Sequence, residues 1–158
     1  MTDKSIAAGN LQISYTLAFP EAQAHYVEVE MDISGISTPA IDLKMPVWTP
    51  GSYMVREFAK NVESFTAQHN VKALSAKKTS KNTWHIELNG ATAVKVKYKV
   101  YCFEISVRTN FINAAHGFIS SAATFLYPDG MLDNPSVIHI KPYKGWTTVS
   151  TSLESMNN

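Results

Sequence analysis

The stretch Thr83-Trp84-His85-Ile86-Glu87-Leu88-Asn89-Gly90-Ala91-Thr92-Ala93-Val94-Lys95-Val96-Lys97-Tyr98-Lys99-Val100 holds two runs in which every second residue is apolar. Trp84, Ile86 and Leu88 form the first row; Val94, Val96, Tyr98 and Val100 form the second, alternating with Lys95, Lys97 and Lys99. A period of two marks a strand with one buried face, because successive side chains leave a pleated chain on opposite sides. Asn89-Gly90 between the rows predicts a tight hairpin, since both corner residues accept positive φ.

The same period recurs towards the N-terminus. In Leu11 to Phe19 the residues Ile13, Tyr15, Leu17 and Phe19 share a face, and Pro20-Glu21-Ala22-Gln23 breaks the run. His25 to Ser34 repeats it with Val27, Val29, Met31 and Ile33 inward. Ile41, Leu43 and Met45 make a third run. Met54 to Asn61 is read as one or two helical turns, Val62 to Gln68 as extended, Asn70 to Ala76 as another strand and Lys77 to Asn82 as a polar turn. Towards the C-terminus Phe103, Ile105 and Val107 alternate, Arg108 to Ala115 is loop-like, and Phe118 to Tyr127 is apolar with Ser120, Ser121 and Thr124 interleaved. Pro128-Asp129-Gly130 and Pro142 to Gly145 read as turns around closing strands at 137–140 and 147–153. Many short strands with turn signals, and no long amphipathic helix or repeat, predict an all-β fold. The expected form is a mostly antiparallel β-sandwich or curved sheet with at most short helical turns.

A chain of 158 residues suffices for one domain with a real core. With 45% hydrophobic and 17% charged residues it is of the folded class, and a net charge of +1 gives no broad field to attract nucleic acid or an anionic membrane. The single Cys102 rules out an internal disulfide and a multi-thiolate metal site. It reads as a small residue packed in a strand rather than a redox centre. No apolar run approaches the roughly 18 residues that span a bilayer. Residues 1–10 lack the hydrophobic core of a secretory signal, so a cytoplasmic location is expected.

Between the third run and the helical turns lies Met45 to Val62, Met-Pro-Val-Trp-Thr-Pro-Gly-Ser-Tyr-Met-Val-Arg-Glu-Phe-Ala-Lys-Asn-Val. Pro46 biases Met45 towards extended backbone, ending the strand, and Pro50-Gly51 sets a turn with positive φ at the glycine. Val47 and Trp48 read as a buried pair between the prolines. Tyr53, Phe58 and Val62 are expected to point into the core while Arg56, Glu57 and Lys60 face water. The run Pro46 to Tyr53 with Arg56 to Val62 resembles the N-terminal domain of the glycyl aminopeptidase family, bacterial zinc metallopeptidases of the gluzincin type that usually carry a PDZ domain. Tyr101 to Asn113, His116-Gly117-Phe118-Ile119, Gly145-Trp146 and Thr151-Ser152-Leu153 extend the resemblance over nearly the whole chain. It implies a single N-terminal β domain over 1–158, with the catalytic zinc domain and a PDZ domain downstream. It further implies that zinc belongs to that downstream domain, that the partner is the catalytic domain of the same polypeptide, and that the substrate is a peptide with a free N-terminus.

The chemistry in the residues themselves agrees with a non-catalytic role. A gluzincin site needs two histidines one helical turn apart with a glutamate between them. His25, His69, His85, His116 and His139 are scattered, and His-Glu-x-x-His does not occur. Neither a Gly-x-Ser-x-Gly elbow nor a glycine-rich phosphate loop occurs. Lys95, Lys97 and Lys99 fit a polyanion surface, but the wet face of a strand, where lysine also guards an edge, is the preferred reading. Trp48 suits a stacking platform or, by preference, corner packing. Arg56 and Arg108 suit either carboxylate binding or, by preference, a bidentate clamp on a loop. In related zinc aminopeptidases the N-terminal β domain lends a loop to the substrate cleft, and the resemblance implies that Asn113 to Thr124 is the corresponding segment here. Asn113, His116, Ser120 and Ser121 are therefore the substrate-cleft candidates, although Ser120-Ser121-Ala122 stands where the family pattern expects Asn-Gly-Thr. The structural motif is Trp48, Pro50, Gly51, Tyr53, Arg56 and Arg108. The alternative is a free-standing β-sandwich that binds carbohydrate or protein through exposed tyrosines and tryptophans.

Overall fold

A computed structural model describes residues 11–156. The stretch 1–10, on which the secretory-signal reading rests, lies outside the described residues. Among the described residues twelve strands run in chain order: β1 Gln12–Ala18, β2 Tyr26–Ser34, β3 Ala40–Lys44, β4 Val62–His69, β5 Lys72–Ala73, β6 Ala76–Ser80, β7 Thr83–Glu87, β8 Ala93–Tyr101, β9 Phe111–Ile112, β10 Gly117–Phe118, β11 Tyr127–Pro128 and β12 Ser136–Lys141. Short 3-10 turns at Ala22–Ala24, Phe58–Asn61 and Ser121–Ala123 are the helical content among the described residues. The fold is all-β, as the periodicity predicts.

A six-stranded sheet has the order β12-β1-β2-β8-β4-β5, a four-stranded sheet the order β11-β3-β7-β6, and β9 and β10 form a small hairpin. Among the described residues every strand pairing is antiparallel except β1 with β12. The apolar rows of β1, β2 and β8 are buried, as are Ile41, Leu43 and Met45 from β3 and its end, and Trp84, Ile86 and Leu88 from β7. Each such side chain, taken fully out of water, contributes roughly 1.5–3 kcal/mol. Phe65 of β4 stacks on Trp84 of β7 with centroids 5.3 Å apart, so the two sheets meet face to face. Tyr15 donates to the Leu126 carbonyl at 2.6 Å, while Tyr98 donates to the Thr124 carbonyl at 2.9 Å and accepts from the Leu126 amide at 3.1 Å. These two buried phenols fasten the 124–126 segment to the large sheet, and burial raises the pKa of both.

The hairpin expected at Asn89-Gly90 is not one. The corner has the predicted chemistry, with φ of 52° at Asn89, 86° at Gly90 and the Ala91 amide bonded to the Leu88 carbonyl at 3.0 Å. Yet β7 pairs with β3 and β6, while β8 pairs with β2 and β4. The turn is an arch between sheets, and its two apolar rows face each other across the core instead of lying side by side. The Thr92 carbonyl, bound by the Ile36 amide at 2.9 Å, leads the chain into the large sheet.

Other segments also depart from expectation. The polar turn at 77–82 is mostly strand β6, an edge whose Lys77, Lys78, Thr79 and Ser80 all face water and so show no apolar period. The strand expected over 70–76 is only the two-residue β5. Ile105 and Val107 are 84% and 82% exposed, and only Phe103 makes a bridge, to Phe111. The 118–127 run breaks into β10, a 3-10 turn and β11, and 147–153 forms no strand. β8 is a central strand, so its lysines guard no edge. They do line a wet face: Lys97 bonds Glu30 at 3.0 Å, Lys99 bonds Glu28 at 2.8 Å, and Lys95 pairs with Glu30 and with Asp32. The cross-strand register puts an acid opposite each lysine, which neutralises the basic ladder from within.

Candidate functional site

The Trp-Thr-Pro-Gly-Ser-Tyr corner projects from the end of β3. Its turn closes with the Ser52 amide on the Thr49 carbonyl at 3.0 Å, and Gly51 takes φ 79°, where a Cβ would strain the backbone. Ser52, 8% exposed, is the hub. Its hydroxyl donates to the Met54 carbonyl at 2.9 Å and accepts from Arg56 Nε at 3.0 Å, and its carbonyl accepts from Trp48 Nε1 at 2.8 Å. The Arg56 amide returns to the Val47 carbonyl at 2.6 Å, and Arg108 donates through Nη2 to the Gly51 carbonyl at 3.0 Å from across the fold.

Both arginines thus hold the loop, but the apolar side chains around them do not enter the core. Tyr53 is fully exposed, Trp48 is 54% exposed, and Val47, Met54 and Val55 are exposed as well. The expectation that Val47, Trp48 and Tyr53 are buried fails for a physical reason. The Ser52 bonds curl the segment back on itself and hold the Trp48 indole by its N–H against the turn. Phe58, at the 3-10 turn, is the residue that reaches the core.

The second candidate region is the β9–β10 hairpin and the turn after it. Asn113 Oδ1 accepts from the Ala115 and His116 amides at 2.8 and 2.9 Å, and the Asn113 amide donates to the His116 carbonyl at 3.0 Å. Asn113 therefore shapes the hairpin tip, with the His116 ring 5.5 Å from that of Phe111. Trp146 lies beneath: its Nε1 donates to the Ala114 carbonyl at 3.1 Å, and a Cβ on Gly117 would stand 2.8 Å from its ring. Ser120 and Ser121 belong to a 3-10 turn, not to a strand. Asn110, 4% exposed, organises that turn by accepting from the Ser120 amide at 2.7 Å and donating to the Ala123 carbonyl and Thr124 Oγ1 at 3.2 and 2.9 Å. No hydrogen bond joins Asn113 or His116 to Ser120 or Ser121, and both serine hydroxyls lack a hydrogen-bond partner among the described residues. Ser52 and Asn110 are the organising residues the sequence reading missed. Each stands in a motif as a polar loop residue, a class that carries no periodic signal.

The histidines do not make a zinc centre. His25 Nδ1 contacts the Ile112 carbonyl, His69 Nδ1 contacts the Ala93 carbonyl, and His85 lies between Asp42 and Glu87. No group of three or more His, Cys, Asp or Glu side chains is arranged to hold a metal among the described residues. The donor set does not fit zinc. Cys102 is buried, donates to the Val100 carbonyl at 3.1 Å and has its pKa pushed up to about 12 by burial, so it stays a neutral thiol at ordinary pH.

Residues 14–158 match the Peptidase M61 N-terminal domain, and the chain belongs to that family. In the solved structures it is similar to an aminopeptidase N family protein from Idiomarina loihiensis, with 28% identity and a TM-score of 0.76. The likeness covers 83% of this chain and 22% of that one, so the chain spans less than a quarter of that protein's length. No curated protein matches it. The chain is thus an N-terminal domain of the kind that peptidases carry.

Proposed function

We propose that this chain is the non-catalytic N-terminal β domain of a glycyl aminopeptidase-like zinc metallopeptidase, packing on the catalytic domain and helping to shape its substrate cleft. The family match over 14–158 carries the reading. The exposed apolar loops support it: consecutive Tyr53, Met54 and Val55 beside Trp48 are a surface that a lone domain gains nothing by displaying. In this reading the zinc-activated water and its general base lie in the catalytic domain, and the substrate is a peptide with a free N-terminus. Asn113, His116, Ser120 and Ser121 face the cleft mouth, where the two unpartnered serine hydroxyls have hydrogen bonds to offer a peptide backbone.

The test is hydrolysis of a glycyl anilide with zinc present. The 158-residue chain alone is expected to give no turnover above buffer, and the peptidase containing it is expected to give zinc-dependent turnover. Zinc-dependent turnover by the 158 residues alone would overturn the non-catalytic reading.

A further inference from the structure

Both arginines of the chain converge on one turn, Arg108 at Gly51 and Arg56 at Ser52. Neither forms an ion pair with a carboxylate among the described residues. Around them stand the exposed Trp48, Tyr53, Met54 and Val55, and next to Arg108 in the chain stand the exposed Ile105 and Val107. A groove beside the turn is lined by Val47, Val55, Arg56, Lys60, Lys78 and Lys81. Its one carboxylate, Glu57, is already taken by Lys81 at 2.7 Å. Single exposed apolar residues are ordinary. Here tryptophan, tyrosine and arginine, the residue types that dominate binding energy at interfaces, sit on one loop already held by hydrogen bonds through Val47, Gly51 and Ser52. A loop fixed in advance loses little conformational entropy on docking.

We propose that the 47–56 loop, with Ile105, Val107 and the adjoining basic groove, is where the catalytic part of the same polypeptide docks, presenting an apolar surface that carries carboxylates opposite Arg56, Arg108 and the groove lysines. The proposal rests on the accessory-domain reading above. Charge complementarity selects this occupant over a second copy, because a two-fold contact would set the same cations against each other. The similar aminopeptidase, of which a domain like this one is 22%, has most of its chain available for such a contact.

Amide hydrogen exchange is compared between the full polypeptide and the 158-residue chain. Residues 47–56 and 103–108 are expected to exchange at least about tenfold more slowly in the full polypeptide. Arg108→Glu and, separately, Tyr53→Ser are expected to remove that protection, while Lys141→Glu on the far sheet edge leaves it. Tyr53→Ser breaks no intramolecular hydrogen bond, so a folding defect in the arginine variant would not spoil the test. Protection confined instead to the outer face of β2 and β8 would overturn this surface and leave the accessory-domain reading standing. Protection nowhere would sink both. Concentration-dependent protection in the 158-residue chain by itself would mean that a second copy occupies the loop, and would also overturn the proposal.

Discussion

Asn110 holds three partners through one buried amide, so its removal strands the Ser120 amide and the Ala123 carbonyl and leaves the Thr124 hydroxyl with only its bond to the Ser120 carbonyl. A buried polar group left without its partner costs about 1–3 kcal/mol. Asn110→Leu is accordingly expected to lower unfolding free energy by about 2–3 kcal/mol in urea titration. A loss below about 0.5 kcal/mol would show that water or a shifted loop replaces the amide. His85 offers a pH test. Hydrogen bonds to Asp42 and then Glu87 raise its pKa above the ordinary 6.5. A raised folded pKa means that the protonated ring favours the fold. That stability is fully present below about pH 6.5 and is lost as pH rises through the higher folded value. The thermal midpoint of the native chain is therefore expected to fall relative to His85→Gln between pH 6 and pH 9; parallel curves would contradict the assignment. At this scale the sequence was legible where residues are periodic and apolar. It was silent on Asn110 and Ser52, and it misjudged Trp48 and Tyr53. Hydrophobicity says that a side chain avoids water, but not whether its own core or another surface receives it.

Among the elements, the β9–β10 hairpin depends on a missing side chain. The Trp146 ring lies 2.8 Å from where a Gly117 Cβ would stand. Gly117→Ala is expected to push the indole off the hairpin and loosen the 142–153 segment, so that trypsin cuts after Lys144 several-fold faster; an unchanged cutting rate would mean that the ring shifts at no cost. The strands β1, β2, β3 and β8 were readable because each keeps one face dry for its whole length. The edge strand β6, polar on both faces, and the two-residue ladders carry no such pattern. Asn89-Gly90 fixed the sign of φ at its corner and nothing more. Whether the following strand turns back beside its predecessor or crosses to the opposite sheet depends on which edges are free, and those edges belong to β2, β3, β4 and β6.

For the whole molecule, two facing sheets form a complete core, and the unusual feature is what remains outside it: an apolar, arginine-bearing loop at one end. All-β class was legible from the alternation. Strand order was not, since β12 reaches its parallel place beside β1 from more than 100 residues away. Nor was the outward turn of the Trp-Thr-Pro-Gly-Ser-Tyr corner, although its residues carried the family resemblance. The central claim is that these 158 residues support a zinc site located elsewhere in the same polypeptide. The most direct test removes them from the full peptidase and measures bound zinc together with kcat/KM for a glycyl anilide. The account predicts that the truncated protein keeps its zinc while kcat/KM falls by about tenfold or more, the loss of roughly 1.4 kcal/mol in transition-state stabilisation expected when a wall of the cleft is missing. Loss of zinc binding specifically with residues 1–158, restored by zinc binding to the isolated 158-residue chain, would contradict it.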